Sequence, residues 1–181
     1  MGQALRVVVT GATGQQGGAV TRALLAHGHP VRALVRATAS PAALALQRAG
    51  VELALGNLED PASLDRALAG ADALFGVTTP FEGLAAEADK GLALVEAARR
   101  ANLVHMVYTS ACNADRPTGI PSFESKLRVE QHLRASGVPF TLVAPVYFME
   151  NLRTPFSLAR LREGEYARWR SRSLASQPTT S

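Results

Sequence analysis

The sequence predicts an α/β protein, a doubly wound parallel sheet in a three-layer αβα sandwich, and three observations predict it. Short apolar, β-branched runs alternate along the chain with longer stretches of helical period. That alternation implies βαβ units, right-handed crossovers and a parallel sheet with helices on both faces. The runs are nearly continuous in apolar residues, as in Ala73-Leu74-Phe75-Gly76-Val77, which suits strands buried on both sides. The first run breaks into a glycine cluster, Gly11-Ala12-Thr13-Gly14-Gln15-Gln16-Gly17-Gly18, that opens an amphipathic stretch.

Strands are expected at residues 5–10, 31–36, 51–55, 72–78, 104–110 and 140–144, with helices near 15–27, 41–49, 61–69, 83–101 and 123–135. The first strand is built on the run Leu5-Arg6-Val7-Val8-Val9-Thr10. In the helix after it, Val20, Ala23, Leu24 and His27 recur at three or four residues, and Gly28 stops the pattern. Pro41 and Pro61 follow Ser40 and Asp60, which puts both prolines in a first turn, where a helix tolerates them. No internal repeat is visible.

Strand, glycine turn and helix form the context that gives the cluster a chemistry. Gly11 makes the tight turn, Gly14 lets backbone approach a pyrophosphate, and Gly17 lets the helix pack against the strand. The free N–H groups and the positive dipole end of the helix then face the phosphates.

Composition narrows the class. A chain of 181 residues that is 47% hydrophobic can bury one core, so one main domain, residues 1–164, is expected. The single cysteine, Cys112, excludes an internal disulfide framework and reads as a small buried apolar residue. The only N-terminal apolar run is the short first strand, and nothing reaches the length of a membrane helix. Arg6 stands where a myristoylation signal wants Ser or Thr. A soluble, cytoplasmic protein is expected. The formal net charge of +4 lies entirely in residues 151–181, where six arginines face Glu163 and Glu165; residues 1–150 are balanced. The core therefore has no basic surface calling for nucleic acid. No metal site is expected.

The end of the second strand bears on which dinucleotide would bind. Selection of NAD places an acid there to bond the ribose 2′-OH, yet the first acidic residue of the chain is Glu52. Arg36 stands instead and can meet a 2′-phosphate, so NADP(H) is expected over NAD(H); Arg32 is read as an ordinary solvated cation. Polar residues also follow the later strands: Asn57 and Leu58, then Val77, Thr78 and Thr79, then Ser110. In an open α/β sheet these ends face the ligand, here adenine, ribose and nicotinamide in that order. Lys126 is one of two lysines against 17 arginines. It is either kept for its compact ammonium, to bond the nicotinamide ribose or hold a neighbouring pKa down, or is a plain helix-surface lysine.

The glycine cluster, residues 31–36, Gly56-Asn57-Leu58 and the run from Val107-Tyr108-Thr109-Ser110 to Phe148-Met149-Glu150-Asn151-Leu152 resemble the NmrA-like family of atypical short-chain dehydrogenases/reductases. The resemblance covers about residues 4–163 and implies a Rossmann fold that binds NADP(H). It implies that Gly11, Thr13, Gly14, Gln16 and Gly17 line the pyrophosphate and Arg36 the 2′-phosphate. Asn57 and Leu58 would lie near adenine, and Val77, Thr78 and Thr79 along the ribose. Ser110, Lys126, Pro145, Tyr147 and Phe148 would surround the nicotinamide, with Lys126 and Ser110 as the candidate catalytic pair.

Two departures shape the functional expectation. Short-chain dehydrogenases place a tyrosine four residues before the lysine as general acid; here that position is Ser122, whose hydroxyl is far too weak an acid. Nothing in the spacing makes Tyr108 or Tyr147 a substitute. Family members lacking the tyrosine act as redox-state sensors, while relatives reduce quinones by direct hydride delivery. Second, the family pattern stops near residue 164, so the substrate subdomain is mostly missing. Residues 165–181 then read as an Arg/Ser/Thr-rich disordered tail, the mark of a truncated or frame-shifted member that exposes apolar surface near Tyr147, Phe148 and Phe156. The expected function is NADP(H) binding as a redox-sensing regulator with a protein partner. The alternative is an NADPH-dependent quinone or carbonyl reductase, and the bland reading a non-functional remnant.

Overall fold

The computed structural model describes residues 3–79, 83–146 and 148–163. Six strands, β1 (Val7–Val9), β2 (Val31–Val35), β3 (Glu52–Leu55), β4 (Ala73–Val77), β5 (His105–Thr109) and β6 (Phe140–Val143), form one sheet in the order β3-β2-β1-β4-β5-β6. Every neighbouring pair is parallel. Between the strands run α1 (Gln15–Ala26), α2 (Pro41–Arg48), α3 (Pro61–Leu68), α4 (Leu84–Arg100) and α5 (Pro121–Ala135). The described chain divides into two compact units after Val146, and the second contains a 3₁₀ turn, Met149–Arg153, and α6 (Pro155–Arg162).

The strand side chains alternate between two cores, which makes the sheet the middle of three layers. Val8, Leu74, Met106 and Tyr108 pack with Leu64 and Leu68 of α3, Leu94 of α4 and Leu133 of α5. Val7, Val9, Ala33 and Phe75 face the other way, against Val20 and Leu24 of α1 and Ala43 of α2. A parallel sheet covered on both faces has this architecture. Each fully buried aliphatic side chain contributes roughly 1.5–3 kcal/mol.

The expected elements form, with strands trimmed by one to three residues where the chain turns toward the loops at their ends. Pro41 and Pro61 do begin α2 and α3, with Ser40 and Asp60 as the capping acceptors. Helix α5 starts at Pro121 rather than 123, because a proline sits well at the first helical position. The 3₁₀ turn and α6 were not expected, since their charged and apolar residues draw no helical stripe. Residues 165–181 lie outside the described residues.

One expectation is corrected here. Arg32 is not a solvated cation: it is buried, its Nε pairs with Glu52 Oε1 at 2.8 Å, and its Nη1 donates to the carbonyls of Ala67 and Ala69 at 2.7 and 2.8 Å. Cys112 is half-buried, and its N–H donates to the Pro145 carbonyl at 3.1 Å.

Candidate functional site

The site begins where β1 stops. Thr10 ties the end of β1 to the end of β4: its hydroxyl donates to the Val77 carbonyl at 3.1 Å and accepts from the Val77 N–H at 2.8 Å. Gly11 then turns the chain with φ +63°, and a Cβ there would meet Val77 Cγ1 at 2.6 Å. Behind the turn, a Cβ on Gly17 would meet the Thr10 carbonyl at 2.8 Å and collide with Gly11 itself. The motif is thus closed behind by backbone contact, while Gly11, Thr13, Gly14 and Gln15 are exposed and Gln16 is half-buried. Helix α1 opens at Gly14 with no side-chain cap and no acid in its first turn. An uncapped helix start behind a glycine turn presents N–H groups and a positive dipole end to an anion.

Arg36 is the first residue past β2 and lies exposed beside this turn's side of the sheet, with no acid on β2. Past β3, Asn57 is exposed, but its side-chain oxygen is committed: it accepts from the N–H groups of Glu59 and Asp60 at 2.7 and 2.8 Å, building the turn into α3. Leu58 is half-buried against the α3–α5 core.

A buried polar cluster joins the ends of β4 and β5 to α4 and α5. Lys126, 8% exposed, aims its ammonium at Glu87 Oε1 and Thr78 Oγ1, both at 2.9 Å, and at the carbonyls of Thr78 and Thr109 at 3.2 and 3.3 Å. An ammonium has three protons, so four inward acceptors use them all. The reading of Lys126 as a surface lysine is therefore corrected. Its Nζ lies 5.3 Å from the centre of the Tyr108 ring. Burial pulls the Lys126 pKa down first of all, and Glu87 pulls it back up. The other Glu87 oxygen accepts from Ser125 Oγ at 3.0 Å.

Tyr108 is also fully buried, with its hydroxyl 3.0 Å from Thr78 Oγ1. Burial above all pushes its phenol far up; the Thr78 bond offsets part of this, and the charges of Glu87 and Glu130 add to it. Such a phenol is no acid for catalysis. Ser110, the first residue past β5, donates its hydroxyl proton to Glu130 Oε1, and both are buried. Ser122 is exposed on the first turn of α5.

The structure thus brings Thr78, Ser110 and Lys126 to one corner of the sheet. Val77 is half-buried, Thr79 exposed and Pro145 half-buried; Phe148 is exposed in the second unit, and Tyr147 lies outside the described residues. Glu87 and Glu130 were missed by sequence reasoning, while Tyr108 was weighed only as a substitute acid and set aside. The signal existed: Glu87 falls on the stripe Glu87, Gly91, Leu94, Ala98 of α4, and Glu130 on the buried face of α5 one turn past Lys126. Among the described residues no cluster of His, Cys, Asp or Glu could hold a metal.

A parallel sheet wound 3-2-1-4-5-6, with a glycine turn opening α1, defines a Rossmann-type protein of the dinucleotide-binding class. Within that class the chain belongs to the NmrA-like family, whose pattern matches residues 3–173. It is 40% identical over 147 residues to a (4-alkanoyl-5-oxo-2,5-dihydrofuran-3-yl)methyl phosphate reductase of Streptomyces griseus, covering 80% of this chain and 49% of that one. Triphenylmethane reductase of Citrobacter sp., solved with NADP(H), matches with a TM-score of 0.76 at 28% identity over 87% of this chain and 55% of that one. NmrA, a negative transcriptional regulator solved with NADP, matches with a TM-score of 0.69 at 32% identity, over 79% of this chain and 45% of its own. NmrA has also been solved with NAD. The chain spans about half the length of the relatives it matches.

Proposed function

We propose that this chain binds NADP(H) and acts as a redox-sensing regulator, passing cofactor state to a protein partner with little or no catalysis of its own. The glycine turn fits the group: it is closed behind, open in front and leaves the start of α1 uncapped. In this reading Gly11, Thr13, Gly14, Gln16 and Gly17 hold the pyrophosphate and Arg36 the 2′-phosphate, while Asn57 and Leu58 border adenine. Val77, Thr78 and Thr79 follow the ribose, and Ser110, Lys126 and Pro145 border the nicotinamide. The bound dinucleotide supplies a hydride.

The observation that carries the regulatory reading is the fate of the protons at that end. The Lys126 ammonium is spent on four inward acceptors, the Ser110 proton on Glu130, and the Tyr108 phenol is pushed far out of range. A carbonyl accepting hydride needs a proton, and none of these three described groups is free to supply one. The second reading, an NADPH-dependent reductase, is favoured by the reductases among the similar proteins and suits an acceptor such as a quinone that needs little acid help.

Calorimetric titration with NADPH and NADH, followed by a panel of quinones, separates the readings. NADPH binding without oxidation is expected. Quinone-dependent turnover would make the chain a reductase, and absence of binding would overturn both.

A further inference from the structure

The bond between Ser110 and Glu130 has a consequence for what the β5 end can recognise. Glu130 sits on α5, is 3% exposed, and receives the Ser110 proton on Oε1; its other oxygen lies 3.4 Å from Arg134 Nη2. A serine hydroxyl has one proton and two lone pairs, and an ionised carboxylate only accepts. With its proton held by Glu130, Ser110 presents lone pairs alone. Turning that proton outward would leave a buried carboxylate oxygen without its donor, which is costly.

The dinucleotide-binding reading gives the ligand group that those lone pairs would meet. The switch in strand order lies between β1 and β4, with the uncapped start of α1 just past β1 and Arg36 past β2. A dinucleotide whose phosphates sit on α1 and whose 2′-phosphate reaches Arg36 extends its other half over the ends of β4 and β5. Ser110 closes β5 there. The nicotinamide ring carries a carboxamide, with an N–H₂ donor and a carbonyl acceptor, and an obligate acceptor can take only the N–H₂.

We propose that Glu130 is a positioning residue that fixes Ser110 as a hydrogen-bond acceptor. The β5 end then selects a primary carboxamide by its N–H and disfavours a ligand that offers only a carbonyl oxygen. This inference rests on the dinucleotide-binding reading above. It also bears on the reductase alternative, because the oxygen of a quinone or carbonyl finds no donor at Ser110.

The test compares NADP⁺ with 3-acetylpyridine adenine dinucleotide phosphate, in which a methyl replaces the carboxamide nitrogen and nothing else changes. The wild-type chain is expected to bind NADP⁺ about tenfold tighter than the acetyl analogue, as a site built for a donor rejects the analogue lacking it. Ser110→Ala brings the two affinities together, and Ser110→Thr, which keeps the hydroxyl, restores the difference. Glu130→Gln supplies an amide that can donate to Ser110 as well as accept from it, so the hydroxyl is free to turn outward and the difference shrinks. A purely structural role for Glu130 would move both affinities together and leave their ratio alone. Equal wild-type affinities, or a ratio that survives Ser110→Ala, overturns the inference while leaving dinucleotide binding intact. If neither dinucleotide binds the wild-type chain, the binding reading itself falls. Should Glu130→Gln fail to fold, the two Ser110 variants decide alone.

Discussion

Lys126 shows at the scale of one residue how far composition reaches and where it stops. Its rarity among 17 arginines marked it as chosen, but composition does not say where an ammonium points. The fold points it inward, onto Glu87 and the carbonyls of Thr78 and Thr109. Removing one partner of a buried ion pair leaves the other uncompensated, so Lys126→Ala is expected to cost roughly 3–5 kcal/mol of stability. Urea unfolding measures it, and a loss below about 1 kcal/mol would mean that Glu87 has no need of its partner. Arg36 and Arg32 make the complementary case. Both read as cations of one strand, yet Arg32 lies beside the C-terminal end of α3 and fills the orphan carbonyls of Ala67 and Ala69. Sequence misread Arg32 because those acceptors come from 35 and 37 residues further along the chain. Arg36 stays exposed at the strand end. Arg36→Asp is expected to weaken NADPH by about tenfold or more, the worth of a charged hydrogen bond, and NADH little. Titration with both cofactors checks it, and an unchanged preference refutes the role of Arg36 in selectivity.

Helix starts were legible element by element wherever a short polar residue precedes a proline. Ser40 Oγ accepts from the Ala43 N–H at 3.2 Å and Asp60 Oδ1 from the Ala62 N–H at 3.0 Å, as the sequence suggests. Helix α5 is different. Ile120 gives it no capping side chain, and Glu124, inside the first turn, reaches back to the N–H groups of Thr118 and Gly119 at 2.6 and 3.0 Å. A carboxylate acting on the loop before its own helix leaves little trace in a local pattern. Those backbone bonds, Thr118 first, hold the Glu124 carboxyl below its ordinary range. A carboxyl with a depressed folded pKa contributes stability that is fully present above its unfolded pKa, about 4.3, and is lost as pH falls through the folded value. Thermal midpoints should therefore decline below pH ~4.5 as the anchor of α5 protonates. Glu124→Gln cannot titrate, so its acid slope should be shallower than that of the wild-type chain. Parallel slopes for the two proteins would assign the decline to other carboxyls, such as Glu96, which its bond to Arg99 and then His132 also hold low.

For the whole molecule, the alternation of apolar runs and helical stretches is enough to produce the sheet, because each βαβ crossover can close in only one hand. The corner where β4 and β5 end is harder to read. Its polar cluster draws Glu87, Tyr108, Ser110, Lys126 and Glu130 from three elements or their ends, and no local pattern joins them. The first unit also leaves Val143, at the end of the edge strand β6, and Val146, just past it, at 38% and 78% exposure, apolar surface in a chain that spans about half the length of the relatives it matches. A protein so built should gain stability from its ligand by mass action. Binding only to the folded form at a hundred times Kd contributes about 2.7 kcal/mol. At roughly 2–4 °C per kcal/mol for a chain of this size, saturating NADPH should raise Tm by roughly 5–10 °C. Differential scanning calorimetry against NADPH concentration reads the shift directly. The shift should keep growing with the logarithm of NADPH concentration above Kd, because linkage has no plateau there. A Tm that ignores NADPH would mean that the glycine turn and α1 hold no dinucleotide. A small rise that stops growing would mean that the unfolded chain binds as well, which removes the coupling between ligand and fold.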